Sequence, residues 1–472
     1  MSEAAVIHPS AIRRGMPHAI VMMLLIILAA VVMTYLVPSG EFTRSKDGLV
    51  APGSYHTVTK DYSAPFAPRG EKVKGVAYPA QPIAVISSIP AGMTRSAALI
   101  FMILFIGGMF GVLQATNALE TGIERLVVVT RANVNIVVPV FMIVLALGST
   151  FLGLISEYLV VIPIALVLAE RMGFDALFGT ALVTIAAKIG YLTSVTNPLA
   201  LAVAQPIVGV PVFSGAWFRA ITFLVFLPLG IWYVLRAAKN PERRIEAVFT
   251  REPGDSSRPM TTRQTLVLLL LLAAIGVMVY GVEQLKWGNP ELSAMYIGVA
   301  LAIAVVGKVP SREASQAFVK GMQGMMLAAI LVGLAAAVEV ILREGMILDS
   351  IVAFLTRSVE GKPPVIVANL MMAMQMIIDV FIPSTSGKAA VTMPILGPIG
   401  QLAGVSGQVT VQAFLFGNGL MNTVTPTSGM LLAYLATGKV SYGKWIRFIL
   451  PLVLILIALC VVALTTAVFI RY

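Results

Sequence analysis

The feature that most constrains this chain is its long apolar runs. Residues 389–438 form a stretch of 50 residues without a single Asp, Glu, Lys or Arg, whereas a helix needs about 20 apolar residues to cross a bilayer. Only 12% of the chain is charged and its mean hydropathy is +0.92, while soluble domains are about 25% charged. A soluble enzyme, a DNA-binding module and a disordered protein are therefore excluded, and the sequence predicts an all-α polytopic membrane protein.

Nine membrane crossings are predicted along the chain, and two of them carry helix breakers in their middle. Two further apolar stretches, 134–171 and 364–403, each resemble a pair of short helices around a polar tip. Irregular backbone is tolerated at membrane depth only where it is buried in protein or lines a cavity, so these stretches are predicted to be re-entrant helical hairpins. The predicted crossings are 17–37, 97–116, 217–235, 265–282, 293–307, 321–338 and 448–470, with the broken ones at 175–207 and 408–437.

The net charge of +11 does not indicate a nucleic-acid partner, because most of the 33 Lys and Arg lie in connections between apolar runs. Their distribution, with seven in 236–264, predicts a cytoplasmic N-terminus and a periplasmic or extracellular C-terminus in a bacterial cytoplasmic (inner) membrane. One cysteine, Cys460, and three histidines indicate neither a disulfide framework nor a Cys/His metal site. No cofactor is expected beyond a coupling ion such as Na⁺.

Two sequence patterns recur in the same order in the two halves of the chain. The matches have nearly the same spacing: Pro163 with Pro394, Gly173 with Gly404, and residues 215–219 with 443–447. The predicted crossings place the two copies in opposite orientation, which gives an inverted-topology repeat of the kind found in alternating-access transporters. The predicted division is an N-terminal scaffold helix and long outer loop (1–96), a first repeat (97–235), a cytoplasmic linker (236–264), scaffold helices (265–320) and a second repeat (321–472).

Four irregular stretches interrupt the apolar helices: two hairpin tips, 153–158 and 383–388, and two helix breaks, 193–198 and 423–429. Their hydroxyls, amides and freed carbonyls suit a cation such as Na⁺, and the N-termini of half-helices attract a carboxylate. The predicted substrate-binding residues are Ser156, Glu157, Thr196, Asn197, Ser384, Thr385, Ser386, Lys388, Thr425, Thr427 and Ser428. The predicted ion-coupling residues, with Na⁺ at the tips and breaks, are Thr193, Ser194, Asn197, Asp379, Asn422 and Thr423.

Charged residues within apolar segments each cost at least about 2.5–3.5 kcal/mol at the bilayer centre, and they are Glu157, Lys188, Glu339, Asp379 and Lys388. Glu157 and Lys388 lie at equivalent positions of the two tips, so a zwitterionic substrate could bind its ammonium at the first and its carboxylate at the second. The alternative is a structural ion pair of Glu157 with Lys188 or Lys388. Asp379 is predicted to pair with Lys388 or to hold a proton. Two arginines at helix starts are expected to snorkel, namely Arg219 and Arg447.

Several of these motifs together resemble a known family. They are Val-Pro-Ser-Gly-Glu-Phe at 37–42, Thr-Asn-Pro at 196–198, Ser-Thr-Ser-Gly-Lys-Ala-Ala at 384–390 and Thr-Pro-Thr-Ser-Gly at 425–429. Over nearly its whole length the chain resembles the YfcC-type carriers, which are grouped with ArcD-like basic amino-acid exchangers and DcuC-like anaerobic C4-dicarboxylate carriers in the ion transporter superfamily. The resemblance implies a homodimer, nine crossings with two hairpins, elevator-type movement of the hairpin domain, and a substrate site between the tips and the broken helices.

The sequence therefore predicts an ion-coupled secondary active transporter or exchanger of a small carboxylate-bearing metabolite, with an amino acid as the favoured substrate and Na⁺ or H⁺ as the coupling ion. A C4-dicarboxylate carrier is the alternative within transport, because Lys188 and Lys388 add basic character. An intramembrane enzyme is disfavoured, since no His lies inside a helix to serve Ser156 or Ser384. A passive channel would not need matched broken helices. Besides the substrate, the expected partners are membrane lipid and a second copy of the chain.

Overall fold

The computed structural model describes residues 19–44, 50–51, 53–62, 75–129, 133–245, 260–285, 287–357 and 361–472, without the side chains of residues 124, 126–129, 279, 282 and 283. The start of the first predicted crossing and residues 246–259 of the predicted linker 236–264 lie outside the described residues. The elements are α1 Ala19–Leu36, β1 Gly40–Glu41, β2 His56–Thr57, β3 Thr59–Lys60, β4 Val76–Ala77, α2 Ala84–Arg95, α3 Ala97–Ala115, α4 Ala118–Val129, α5 Val134–Leu147, α6 Val161–Arg171, α7 Ala176–Thr193, α8 Pro198–Ile207, α9 Ala216–Ala237, α10 Thr262–Gln284, α11 Asn289–Gly307, α12 Ser311–Glu344, α13 Leu348–Arg357, α14 Pro364–Phe381, α15 Thr385–Leu402, α16 Gly407–Met421, α17 Gly429–Thr437 and α18 Tyr442–Phe469.

The long helices expose apolar side chains, as expected of a protein surrounded by lipid. Leu224, Leu272 and Leu301 on α9, α10 and α11 are each at least 65% exposed. In the described part of the chain nine segments are long and apolar enough to cross a membrane, and the molecule is a multi-pass membrane protein. These segments are Ala19–Leu36, Ala97–Ala115, Val134–Leu152, Ala176–Ile207, Ala216–Ala237, Asn289–Gly307, Ser311–Glu344, Pro364–Phe381 and Tyr442–Phe469.

Seven of these segments coincide with predicted crossings, and two do not. The two are Val134–Leu152 and Pro364–Phe381, the first arms of the predicted hairpins. The predicted crossing at 408–437 is divided into α16 and α17, while α10 contains an apolar stretch at Thr262–Met278. Helix α12 is longer than expected, because the connection 308–320 was predicted to be separate and most of it continues the same helix.

Helices α3 and α12 begin the two predicted repeats, and they pack against each other through glycines. A Cβ added to Gly107 would lie 2.6 Å from the carbonyl oxygen of Gly321, and one added to Gly111 would lie 3.1 Å from the Gly321 Cα. Small residues in this arrangement allow two backbones to approach closely inside a membrane, where packing drives helix association. The contact fixes α12, whose other faces contact α1, α2 and α17.

We expect Gly321→Ala to lower the midpoint of thermal unfolding, because the new methyl group would meet the backbone of α3. Gly324→Ala is the matched control on the same helix, since no atom lies within 4 Å of a Cβ at that position. The control should be neutral or slightly stabilising, as Ala exceeds Gly in helix propensity by up to about 1 kcal/mol. The comparison is made by thermal unfolding in detergent. Equal midpoints for the two variants would contradict the described α3–α12 packing.

The segment after α1 is tied to the start of α13 by an ion pair. Arg44 contacts both carboxylate oxygens of Asp349 at 2.7 Å, and the same carboxylate accepts a hydrogen bond from the Phe42 backbone N–H at 3.0 Å. Lys60 donates to two carbonyl oxygens at the C-terminal end of α1, where a cation is favourable. Partial burial lowers the pKa of Lys60. The sequence motif at 37–42 therefore lies in a segment that these contacts hold against α1 and α13.

Helix α2 was not predicted, because residues 38–96 were assigned to a loop. It contains Pro90, and its glycine Gly92 lies so close to α12 that an added Cβ would be 2.5 Å from the backbone nitrogen of Ala337. At the end of α2, Arg95 pairs with Glu339 of α12 at 2.8 Å. Glu339 also pairs with Arg343 at 2.9 Å, so this intramembrane carboxylate is neutralised by two arginines.

Equivalent helix contacts occur in the two halves of the chain. Helix α5 packs on α7 and α9 as α14 packs on α16 and α18, and α6 packs on α7 as α15 packs on α16. Between the halves, α15 packs on α8, while the 3-10 turn Ser156–Val160 packs on α17. Each predicted hairpin therefore contacts the second segment of the broken helix that belongs to the other half.

Candidate functional site

The first helix break separates α7 from α8 with a short capped turn. Ser194 has a left-handed backbone conformation, with φ +43°, which ends α7. Pro198 is the first residue of α8, where its missing N–H has no intrahelical partner to lose. The Asn197 side chain accepts a hydrogen bond from the Leu199 N–H at 3.0 Å and donates to the Ser194 Oγ at 3.0 Å. The break is thus a built structure, and Asn197 is fully buried in it.

The end of the first hairpin arm, just before the predicted tip, is hydrogen-bonded to this break. Thr150 lies in the π-helical turn Gly148–Leu152 at the end of α5, and its Oγ1 is 3.0 Å from that of Thr193. It also accepts a hydrogen bond from the Val195 N–H at 3.0 Å. The Thr196 N–H donates to the Thr150 carbonyl oxygen at 3.1 Å. Two predicted site residues, Thr193 and Thr196, therefore hold the end of the hairpin arm to the break.

The second predicted tip carries a buried ion pair. Ser384 caps α15 by accepting a hydrogen bond from the Gly387 N–H at 3.3 Å. One turn into that helix, the Lys388 Nζ lies 2.5 Å from Oδ1 of Asp379, which belongs to α14, and neither side chain is exposed to any degree. An unpaired charge would be very costly at such depth. The pairing of Asp379 with Lys388 was one of its two predicted roles.

The second helix break is joined to this ion pair. The Asn422 amide nitrogen donates to both carboxylate oxygens of Asp379, at 3.0 and 3.2 Å. The Asn422 side-chain oxygen accepts a hydrogen bond from Ser428 Oγ at 2.9 Å. Ser428 in turn caps α17 by accepting from the Leu431 N–H at 3.3 Å. A single chain of hydrogen bonds thus runs from the hairpin carboxylate across the break to the N-terminus of α17.

Two side chains connect the second half to the first. The Asn418 amide nitrogen donates to the Tyr191 hydroxyl at 2.9 Å and to Thr385 Oγ1 at 3.1 Å, and the Tyr191 and Thr385 hydroxyls are hydrogen-bonded to each other. The Asn418 side-chain oxygen also accepts a hydrogen bond from the Asn422 amide nitrogen at 3.3 Å. We call the connected set the polar network; its members are Tyr191, Asp379, Thr385, Lys388, Asn418, Asn422 and Ser428. Ser194 extends it by donating to the Tyr191 carbonyl oxygen at 2.5 Å.

Glu157 lies outside the polar network, and neither ion pair predicted for it forms in the described part of the chain. Its carboxylate accepts a hydrogen bond from the Ile155 N–H at 2.9 Å and is 7% exposed. Lys388 instead pairs with Asp379, because the two arms of one hairpin bring these residues together. The tip around Glu157 is also bound by the Tyr434 hydroxyl of α17, which donates to the Ile155 carbonyl oxygen.

Apart from Ser194 and Asn197, which reach the polar network through the Tyr191 carbonyl oxygen, the side chains of the remaining predicted site residues form no hydrogen bond with it among the described residues. The hydroxyls of Thr425 and Thr427 are 2.8 Å apart and bond to each other, and Thr423 Oγ1 donates to the Gly419 carbonyl oxygen at 2.9 Å. Ser384 and Ser386 have exposed side chains at the second tip. The structure therefore gathers five predicted residues directly into the network and leaves the others around it or at its edges, among them Ser156 beside Glu157.

The predicted snorkelling of Arg219 is wrong. The residue is fully buried, and its guanidinium donates to the carbonyl oxygens of Val195 at 3.1 Å and Ser214 at 2.7 Å. It also donates to the hydroxyl of the C-terminal residue Tyr472 at 3.2 Å. Its guanidinium carries five N–H donors, and carbonyl oxygens beside the first break accept hydrogen bonds from them within the protein. Arg447 is exposed, as snorkelling would require.

Sequence reasoning missed Tyr191, Gln375, Thr392 and Asn418 as members or supports of the site. Gln375 Nε2 donates to Thr392 Oγ1 at 2.9 Å, and Thr392 Oγ1 donates to the Lys388 carbonyl oxygen at 2.8 Å. The sequence does contain a signal for Asn418. It lies four residues before the predicted site residue Asn422, and residues four apart share one face of a helix. The Tyr and Thr residues carry no comparable signal, because either is common in an apolar core.

Lys188 is a buried lysine with no counter-ion at ion-pair distance among the described residues, although the Asp379 carboxylate acts on it at longer range. It lies on α7, is 4% exposed and forms no hydrogen bond or ion pair within that part of the chain. Its Nζ is 5.9 Å from the centroid of the Tyr434 ring, a distance at which an ammonium is attracted to the ring face. Ile185, Leu192, Thr423 and other mainly apolar side chains line a small cavity beside it. An anionic group placed here would find an unpaired positive charge.

Interrupted apolar helices that surround buried charges in a multi-pass membrane protein are typical of transporters. In agreement with this class, residues 16–469 match the DcuC family, described as C4-dicarboxylate anaerobic carrier. Because the match covers nearly the whole chain, the protein belongs to this family of transporters. The family resemblance predicted from the motifs is confirmed.

Two relatives cover almost all of the chain. The Escherichia coli K12 protein named "Putative basic amino acid antiporter YfcC" is 28% identical over 475 residues, which is 92% of this chain and 93% of the relative. An uncharacterised protein of Haemophilus influenzae is 24% identical over 93% of this chain and 94% of its own length.

Two solved transporter structures are similar over nearly the full length. The YdaH transporter of Alcanivorax borkumensis aligns with 97% of this chain and 99% of its own, at 18% identity and a TM-score of 0.43. MtrF of Neisseria gonorrhoeae, from a class of antimetabolite efflux pumps, aligns with 96% of both chains at 16% identity and a TM-score of 0.43.

Proposed function

We propose that the chain is a secondary active transporter or exchanger of a small carboxylate-bearing metabolite, with an amino acid as the favoured substrate, and that it couples transport to Na⁺, to H⁺ or to counter-exchange. The polar network carries this proposal. It joins α7, the second predicted hairpin and the second helix break, and both side chains of its charged pair are fully buried. Buried charges inside membrane helices are rare and mark substrate or ion pathways.

The alternating-access part of the proposal is supported by the equivalent contacts of the two halves. We infer an inverted-topology repeat, in which the predicted hairpins 134–171 and 364–403 are re-entrant and move with the broken helices as an elevator. In this proposal α3 and α12, which begin the two repeats, do not move with the hairpins, and their glycine contact favours a rigid body. The cytoplasmic N-terminus, the opposite placement of the C-terminus, the inner membrane and the homodimer belong to the same proposal.

The substrate carboxylate is proposed to bind near the N-termini of α8, α15 and α17. The three helices begin in the network or beside it, capped by Asn197, Ser384 and Ser428, and each helix N-terminus carries about half a positive charge. Lys188 is the additional anion partner, because its ammonium has no counter-ion at ion-pair distance in the described part of the chain. Lys388 is less suited to that role than predicted, since Asp379 already neutralises it.

A C4-dicarboxylate is the second candidate substrate. The family is described by that substrate, and the unpaired charge of Lys188 favours a substrate with more than one negative group. The E. coli relative is named as a basic amino acid antiporter, which supports the amino-acid candidate instead. Both candidate substrates carry at least one carboxylate. We propose that Lys188 and the capped helix N-termini bind that carboxylate in either case.

Uptake into vesicles tests the function directly. Purified protein in proteoliposomes should accumulate a labelled amino acid or dicarboxylate when a Na⁺ gradient, a proton gradient or an internal substrate is imposed. One net charge moving down 100 mV supplies about 2.3 kcal/mol, enough for about fifty-fold accumulation at 1.36 kcal/mol per tenfold ratio. Equilibration without accumulation under every gradient would indicate a channel, and chemical conversion of the substrate would indicate an enzyme.

We expect Glu157→Gln to abolish recognition of a substrate amino group without unfolding the protein. The substituted amide can still accept the hydrogen bond from the Ile155 N–H, but it removes the negative charge that an ammonium needs. The measurement is inhibition of uptake by amino acids and by the matching carboxylates that lack the amino group. Unchanged discrimination between the two compounds would remove Glu157 from the substrate site.

A further inference from the structure

The Lys388 ammonium occupies a position that suits a coupling cation. Its Nζ lies 2.5 Å from the Asp379 carboxylate and 3.4 Å from the Gln375 carbonyl oxygen, and it is 5.6 Å from the centroid of the Phe414 ring. Carboxylates and backbone carbonyls beside helix breaks are the groups with which membrane transporters hold Na⁺. The Lys388 ammonium thus occupies oxygen atoms that could otherwise bind a free cation.

The lysine is held in place by the hairpin that carries it. Thr392 donates to the Lys388 carbonyl oxygen at 2.8 Å and receives the side-chain amide of Gln375 at 2.9 Å. Asp379 and Gln375 belong to α14, while Lys388 and Thr392 belong to α15. Both members of the ion pair are therefore in the second predicted hairpin, and their charges cancel wherever that hairpin moves.

Among the described residues, a second cation would find no uncompensated negative charge at this site. Asp379 is the acidic member of the polar network, and its other hydrogen bonds come from the neutral amide of Asn422. The other charged side chain that acts on Asp379 is Lys188, which is also cationic. Adding Na⁺ beside the intact pair would raise the positive charge of a buried region, where charge is costly.

We propose that Lys388 replaces a coupling Na⁺. The wild-type chain binds no Na⁺ at Asp379, and removal of the Lys388 ammonium converts the same oxygens into a Na⁺ site. The inference rests on the proposed transport function and deepens it, because it assigns coupling at the second helix break to H⁺ or to substrate exchange. It also explains how the hairpin can return without a bound ion, since the internal pair already makes it neutral.

The test is thermal unfolding of the full-length protein in detergent, in NaCl and in N-methyl-D-glucamine chloride of equal ionic strength. Wild-type protein is expected to show no Na⁺-dependent rise of the midpoint that requires Asp379. Lys388→Met should have a lowered midpoint in the organic salt and recover several degrees, saturably, as NaCl replaces it. The double variant Asp379→Asn with Lys388→Met should show no such recovery. Lys188→Met is the comparison variant, because it removes a buried amine that acts on Asp379 only at longer range and leaves the direct Asp379–Lys388 pair intact; its response to Na⁺ should be no larger than that of the wild type.

Two outcomes would overturn the inference. The first is a Na⁺-dependent rise of the wild-type midpoint that Asp379→Asn abolishes, and the second is a folded Lys388→Met protein without a Na⁺ response. If Lys388→Met cannot be purified, the wild-type comparison still decides, and Lys388→Ala purified in methylammonium chloride provides a second measurement. We expect methylammonium to raise the unfolding midpoint of Lys388→Ala, and Na⁺ to raise it when methylammonium is removed. A midpoint that neither cation raises would contradict the inference. No step uses transport, so a failure of the proposed function would appear separately, in the vesicle assay.

Discussion

Asp379→Asn is expected to be the most destabilising single substitution in the polar network. Breaking a buried ion pair leaves the Lys388 ammonium without its counter-ion, which typically costs about 3–5 kcal/mol. Asn has nearly the shape of Asp and its oxygen can still accept from Asn422, so the loss reports the charge and not a cavity. The unfolding midpoint in detergent should fall by several degrees or more. Gradient-driven uptake should be lost even at temperatures at which the variant remains folded.

The double variant Asp379→Asn with Lys388→Met separates stability from transport. Replacing both members of a buried pair with uncharged groups is often neutral or stabilising, whereas removing one member is not. We therefore expect the midpoint to return close to the wild-type value while uptake stays absent. A single variant as stable as the wild type would contradict the buried pair. Full transport by the double variant would show that the pair serves only the fold.

Lys188→Met is expected to have the second large effect, which is on substrate and not on stability. A hydrogen bond to a charged group contributes about 1.5–3 kcal/mol, so the loss of the Lys188 ammonium should weaken carboxylate binding by roughly ten-fold to a hundred-fold. Stability should be unchanged or improved, because the buried amine has no counter-ion at ion-pair distance among the described residues. Competition for uptake at several substrate concentrations measures the change in apparent affinity.

Lys188→Arg is the control for charge, and it should retain part of the affinity that Lys188→Met loses. A substrate without a carboxylate should bind both variants as weakly as it binds the wild type. If Lys188→Met transports with unchanged affinity, the lysine is not an anion partner. The proposed carboxylate site would then have to be formed by the capped helix N-termini without it.

The irregular stretches of the membrane helices could be located from sequence because their chemistry is local. Ser, Thr, Asn and Pro within an apolar run compete with helical hydrogen bonding wherever they occur, so the breaks at 193–198 and 423–429 coincide with the ends of α7 and α16. The pairing of Asp379 with Lys388 was also predicted, as one of two roles for Asp379. The two lie on either side of a tip, and a hairpin brings its arms together.

Long-range contacts were not accessible from local patterns. Nothing near Arg219 indicates that the C-terminal Tyr472 lies beside it, so burial by a distant segment was mistaken for snorkelling. Tyr191 and Asn418 are 227 residues apart in the chain, and their contact joins the two halves only after the helices have packed. Helix α2 was missed because it contains Pro90 and because its buried residues are small, namely Ala84, Ser88 and Gly92; of these, Gly92 lies against the backbone of α12.

Cysteine accessibility from the two sides of the membrane tests the central claim most directly. In a Cys460→Ala background, Thr196→Cys and Ser384→Cys place one thiol at the first break and one at the second tip. With protein of uniform orientation in proteoliposomes, a membrane-impermeant maleimide should label each thiol from one face, and substrate with its driving gradient should shift labelling to the opposite face. Labelling from one unchanging face, or only by a lipophilic maleimide, would contradict a pocket that opens to each side in turn.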